Sequence, residues 1–321
     1  MKKKILPAFL LIFFLVLVSG GCKTGDLSGN NDSSSHIKIV TTIFPLADIT
    51  DQLGGNEIST SYLLPAGSSP HTYEPTVDQA RLIANADLFI SIGAGLDDWS
   101  VQLARSAGSD LVLLDLSTYI NLMETGECFE LDEHDGHENC DHDHSDHLHK
   151  DLDPHYWLDP IIVRDQISPV ITDKLINLSP DKQTYFEVNL ESYRDDLSRL
   201  DSDISAAVGN FNSTGFIAFH SAWRYFANRY GLNEIAVIAS FPGQEPSSGW
   251  IAELIDLINE HNIGAILTEP QFPSALADRI AEETETKIYT ADPLGGSTIP
   301  GRDSYINLMR FNLDIFQKAL E

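Results

Sequence analysis

Basic residues are scarce in this chain: 20 Lys and Arg stand against 48 Asp and Glu over 321 residues, a formal net charge of −28. A field of that sign repels nucleic acid and anionic lipid and concentrates cations, so nucleic acid is excluded as a partner. Cysteine is also scarce, with three in the whole chain, too few for a disulfide scaffold. No His-Glu-x-x-His pattern occurs, which removes one common zinc-hydrolase signature. Beyond the first two dozen residues no apolar run is long enough to cross a bilayer.

The N-terminus sets the compartment. Lys2, Lys3 and Lys4 precede a stretch from Ile5 to Val18 that is apolar apart from its proline, and Ser19, Gly20 and Gly21 are small. That is a secretory signal over residues 1–21, too short for a spanning helix. Cys22 follows at once, and the segment resembles a bacterial-type lipoprotein signal, with Ser19 where Leu is commonest. The resemblance implies an acylated Cys22 and a chain exported and lipid-anchored to the outer face of the cell membrane or held in the periplasm. Residues 22–36 are rich in Gly, Ser, Asn and Asp, a flexible tether. Without the three signal lysines, 17 basic residues face 48 acidic ones, a net charge of −31. With Cys22 acylated, Cys128 and Cys140 remain. Outside the cytoplasm they can pair as a disulfide, or serve as extra metal ligands.

Strand-like and helix-like segments alternate. Ile37–Ile43, Ile58–Leu64, Leu88–Ile92 and Leu111–Asp115 read as strands, separated by helices starting at Pro45, Val77 and Asp97. Such a βαβ rhythm argues for a parallel sheet covered on both faces. From Glu124 to Asp153 the apolar content nearly vanishes, so this stretch reads as an exposed insert. From Ser179-Pro180 to about Val208 runs a long amphipathic helix with Tyr185, Val188, Leu197, Leu200 and Ile204 on its apolar face. The rhythm then resumes, with strands at Gly215–Phe219, Ile235–Ala239, Gly264–Leu267 and Lys287–Tyr289. The layout is a signal (1–21), a tether (22–36), an N-terminal αβ lobe (37–178), a connecting helix (179–208) and a C-terminal αβ lobe (209–321).

Four stretches fit one metal site: Pro70-His71-Thr72-Tyr73-Glu74-Pro75, His155-Tyr156-Trp157-Leu158-Asp159-Pro160, His220-Ser221-Ala222-Trp223-Arg224-Tyr225-Phe226 and Asp292-Pro293-Leu294-Gly295. Three imidazoles and one carboxylate can close a four-coordinate cage around a zinc-like cation. His71, His220 and Asp292 each follow a strand, where open parallel sheets bind ligands. Glu269 also lies past a strand end and can approach the site. Taken singly, each histidine is as easily a hydrogen-bonded loop residue, and Asp292 before Pro293 a turn residue. The insert, taken as 127–150, carries a second set: His134, His137, His142, His144, His147 and His149, six histidines among nine acids. Flexible acidic-histidine tracts bind metal weakly and transiently.

Carried by these motifs, the chain resembles the zinc and manganese receptors of ABC importers, the cluster A-I solute-binding proteins, from about Ile37 to Glu321. Ser221 and Trp223 depart from the family's usual Asp and Phe or Tyr. The resemblance implies two lobes, each a four-stranded parallel sheet with flanking helices, joined by one long rigid helix. It implies metal held by His71, His155, His220 and Asp292, a membrane permease as partner, and a monomer. Imidazole suits zinc, while manganese prefers more oxygen, so the set favours Zn2+ with Mn2+ as the alternative. An acidic, His-rich insert goes with the zinc members of that family. A zinc-dependent hydrolase and an adhesin are the competing classes. A hydrolase needs an open coordination position, which Asp292 is expected to fill.

Overall fold

The computed structural model describes residues 36–106, 111–125, 152–239, 243 and 245–321. Eight strands form two sheets. β1 (Ile37–Thr41), β2 (Ile58–Tyr62), β3 (Leu88–Ser91) and β4 (Val112–Asp115) lie in the order β2-β1-β3-β4. β5 (Gly215–Ala218), β6 (Asn233–Val237), β7 (Ala265–Thr268) and β8 (Lys287–Thr290) repeat that order as β6-β5-β7-β8. Every pairing is parallel. The first lobe carries helices α1 (Phe44–Gly54), α2 (Val77–Ala84) and α3 (Asp98–Arg105).

The strands are short and rich in β-branched and aromatic residues, and β3 and β7 are buried along their whole length, as parallel strands covered on both faces must be. Alternation splits them between cores. Ile39, Leu88, Ile90, Phe216, Ala218, Ala265 and Leu267 join one large cluster. Their neighbours Val40 and Phe89 turn to a second cluster outside the first sheet, and Ile217 and Ile266 to a third outside the other. The large cluster thus lies between the two sheets.

A helical run fills that middle layer. α4 (Pro160–Ile162) leads through a π-turn at Val163–Ile167 into α5 (Ser168–Leu178), and α6 (Gln183–Val208) follows. At 26 residues, α6 is about 39 Å long at 1.5 Å per residue. It packs against α1 and α5 of the first lobe and against α7 (Arg224–Tyr230) and α10 (Tyr305–Leu320) of the second. The buried face of α6 differs from the sequence expectation. Phe186, Tyr193, Leu197, Leu200 and Ile204 are buried, whereas Tyr185 and Val188 are 38% and 63% exposed. The start at Pro180 is a 3-10 turn and the α-helix begins at Gln183; packing against both lobes selects the face with Phe186 inward and Tyr185 outward. Each buried large aliphatic or aromatic side chain on this face contributes about 1.5–3 kcal/mol.

Helices α8 (Ser248–His261) and α9 (Ala275–Thr284) complete the second lobe. α10 returns to the first lobe at its N-terminus, where the Tyr305 amide, which has no partner within the helix, donates to Asp48 Oδ2 on α1 at 2.8 Å. The Tyr305 hydroxyl donates to the Trp157 carbonyl at 2.8 Å. Both lobes therefore meet along one packed seam, and the carboxyl ends of β5, β7 and β8 all open toward it.

Candidate metal centre

His71 stands in the loop between β2 and α2. Hydrogen bonds on both sides fix that loop. Thr76 caps α2 by accepting from the Gln79 amide, and the Gln79 side chain accepts from the Thr76 amide at 2.8 Å. Gln79 Nε2 also donates to the Tyr73 hydroxyl at 2.9 Å, and the Trp99 indole donates to the Pro70 carbonyl at 2.9 Å.

His155 opens a 3-10 turn, Tyr156–Leu158. The Tyr156 hydroxyl donates to Ile92 O at 2.6 Å and the Trp157 indole to Pro293 O at 2.9 Å, so one turn is tied to both lobes. Asp153 Oδ1 accepts from the His155 backbone amide at 2.9 Å and pairs with His155 Nδ1 at 2.8 Å. His220, two residues past β5, places Nδ1 3.2 Å from Oε1 of Glu269, the first residue after β7. A carboxylate behind Nδ1 fixes the tautomer and leaves Nε2 as the donor atom. The structure therefore assigns Glu269 a place at His220 rather than elsewhere at the lobe seam.

The three imidazoles converge. Ring centroids are 5.4 Å apart for His71 and His155, and 4.9 Å apart for His71–His220 and His155–His220. One nitrogen from each lies within 4.8 Å of the others. Tetrahedral bonds of 2.0–2.1 Å would set ligand nitrogens about 3.3 Å apart, so small side-chain rotations complete the site. His71 Nε2 is buried and has no hydrogen-bond partner, an expense that a cation would remove. Among these side chains lies a cavity of about 10 Å³, the size of one ion or water and far below an organic-ligand pocket.

Charge behaves accordingly. Burial holds the His71 pKa well below its ordinary value, helped by His220 and His155. That keeps its ring neutral and ready to bind metal. Burial also lowers His220, but the charge and hydrogen bond of Glu269 outweigh it and leave His220 raised.

Asp292 is placed differently from the three histidines. It is buried at 3% exposure, yet it is not part of the histidine cluster, and its neighbours Pro293 and Leu294 line the cavity instead. Its carboxylate is engaged elsewhere. Oδ1 accepts from the Leu294 and Gly295 amides at 2.9 and 3.0 Å, and Oδ2 accepts from Arg302 at 2.7 Å. Gly295 has φ +61°, and a Cβ there would meet Arg302 O at 2.7 Å, so this turn requires glycine. Asp292 organises this turn, and the structure brings His71, His155 and His220 together without it.

Asp153 was missed. It fell in the stretch set aside as insert, yet it is 1% exposed. The signal lay in the Asp-x-His spacing directly beside His155. Glu124 and Leu152 form an antiparallel bridge, and the Asp153 amide donates to Met123 O at 2.8 Å, so the insert is closed at its root. Its six histidines, Cys128 and Cys140, and the lipidation candidate Cys22, lie outside the described residues. Asp153→Asn should weaken zinc binding by about 10- to 100-fold, the usual cost of losing a carboxylate behind a ligand histidine. Competition titration against a zinc chelator measures it, and an unchanged affinity would mean that Asp153 does not orient His155.

Comparison with known proteins agrees with this geometry. The model of the family "Zinc-uptake complex component A periplasmic" matches residues 39–319. The high-affinity zinc uptake system protein ZnuA of Bacillus subtilis is 30% identical across 100% of this chain and 99% of its own length. The manganese-binding lipoprotein MntA of Halalkalibacterium halodurans is 28% identical across 99% of each. A crystal structure of a zinc-bound ZnuA deletion mutant superposes with a TM-score of 0.75 at 26% identity, covering 89% of this chain and 98% of the other. With two parallel four-stranded sheets, a long middle helix and three imidazoles at their seam, the chain belongs to the family of periplasmic zinc-uptake complex component A.

Proposed function

We propose that this protein is the extracytoplasmic receptor of an ABC importer: it captures Zn2+ between its two lobes and hands the ion to a membrane permease. The observation that carries the proposal is the convergence of His71, His155 and His220 on a cavity that admits one ion. Those histidines are the protein ligands. Glu269 supports His220 from behind, and one water takes the fourth position. Three nitrogen donors favour zinc over manganese. The manganese reading keeps specific support in the MntA relative.

A zinc hydrolase fits less well. A shell of three histidines and water would have the open position a hydrolase needs, but the cavity of about 10 Å³ is far smaller than a substrate pocket. The remainder of the proposal rests on sequence. Residues 1–21 are the signal, acylated Cys22 is the anchor, and 22–36 is the tether of a monomer whose lobes are 37–178 and 209–321, joined by 179–208. The insert at 127–150 is a second, looser metal trap.

Removing residues 127–150 tests both parts. The deleted protein should bind one zinc per chain with full affinity, and the intact protein should bind more than one, as read by calorimetry. Equal stoichiometry would show that the insert histidines trap no metal. Absence of zinc from the deleted protein would remove the receptor proposal.

A further inference from the structure

Asp292 is a buried carboxylate next in the chain to Pro293 and Leu294, which line the metal-sized cavity, and it takes no part in the histidine cluster. What holds it is Arg302. The guanidinium donates to Asp292 Oδ2 at 2.7 Å, and its Cζ lies 4.8 Å from the centre of the Phe311 ring on α10. Asn312, one residue further along α10, clamps the Asp292 backbone from both sides. Its Oδ1 accepts from the Asp292 amide at 2.8 Å and its Nδ2 donates to the Asp292 carbonyl at 2.7 Å. The segment is thus anchored through the main chain, while Oδ2 is held by a single charge partner.

We infer that Arg302 determines metal preference by withholding the Asp292 carboxylate from the ion. The role presupposes the three-histidine site proposed above. A buried carboxylate stripped of its cation has two remedies: it takes up a proton or it finds another cation. A cation held by the three histidines would lie in the cavity lined by the adjacent Pro293 and Leu294, and would be the partner Asp292 finds. Exchanging an all-imidazole protein set for one with a carboxylate oxygen moves the donors toward those manganese prefers. With Arg302 in place, Asp292 completes a turn and the ion meets nitrogen. Without Arg302, Oδ2 becomes available as an additional oxygen donor.

The test uses the full chain lacking only residues 127–150, so that the insert does not mask the site. Arg302→Met removes the charge and keeps much of the side-chain length. Zinc and manganese affinities are measured by competition, and Co2+ is added as a spectroscopic probe of coordination. Arg302→Met should shift the manganese-to-zinc affinity ratio at least tenfold toward manganese and alter the cobalt d–d spectrum. Adding Asp292→Asn to that variant should restore the ratio of the parent, which a general loosening of the fold would not do. Asp292→Asn alone should leave zinc affinity within about twofold, since the ion is not reached by Asp292 while Arg302 is present; this variant decides the matter even where Arg302→Met does not fold. A ratio unmoved by Arg302→Met in a protein that still binds one zinc would overturn the role of Arg302, as would a tenfold loss of zinc affinity in Asp292→Asn. A parent protein that binds no zinc would instead defeat the three-histidine site, and this inference with it.

Discussion

His220→Ala, made in the protein lacking residues 127–150, should lower zinc affinity by a factor on the order of a thousand, more than the 10- to 100-fold typical of a supporting residue. The mutation removes one of three imidazoles and leaves Glu269 as a buried carboxylate that has lost its partner at 3.2 Å. Two histidines and a water cannot complete the tetrahedron with comparable strength. His71→Ala and His155→Ala should behave alike. His261, exposed at the end of α8, supplies the control, and His261→Ala should bind zinc as the parent does. Calorimetry by displacement of a chelator covers the range, and parental affinity in His220→Ala would remove His220 from the site.

Acid should release the metal, and the two perturbed histidines set where. Zinc takes only neutral imidazole, so every proton held by the free site must leave on binding. His220 is raised above the ordinary value by Glu269, so it begins to hold a proton above pH 6.5, and affinity begins to fall there. His71 is depressed by burial and its two neighbours, so it stays neutral through this window and adds to proton release only at lower pH. Affinity should therefore start to fall as His220 takes up its proton, by about tenfold per pH unit for each proton displaced, and fall more steeply under stronger acid as His71 joins. Zinc titrations of the insert-deleted protein at pH 7.5, 6.5 and 5.5 read this directly. Glu269→Gln removes the charge that raises His220, so it should move the first fall in affinity to lower pH. A pH-independent affinity would mean that the ion is held without histidine.

Much of the architecture is legible in the sequence because it is dictated locally. Parallel strands buried on both faces, such as Leu88–Ser91 and Ala265–Thr268, read as short apolar runs between helical segments. Ligands near strand ends follow from that rhythm, and His71, His155 and His220 do meet. Two matters were not legible, and both concern direction. On α6, spacing alone admits two overlapping faces, and only packing against both lobes decides that Phe186 and Tyr193 turn inward while Tyr185 and Val188 do not. At Asp292, the residue type and strand-end position suit a ligand equally well as a turn. In the structure its carboxylate is engaged by Arg302, ten residues on, and by two backbone amides. Asp153 was hidden for the opposite reason: it borders a polar insert, so its burial contradicts its neighbourhood.

X-ray absorption spectroscopy of the zinc-loaded, insert-deleted protein is the most direct measurement of the central claim. The account predicts three imidazole nitrogens at about 2.0–2.1 Å and one water oxygen completing the shell. A shell with fewer than three imidazoles, or one dominated by oxygen or sulfur, would contradict it.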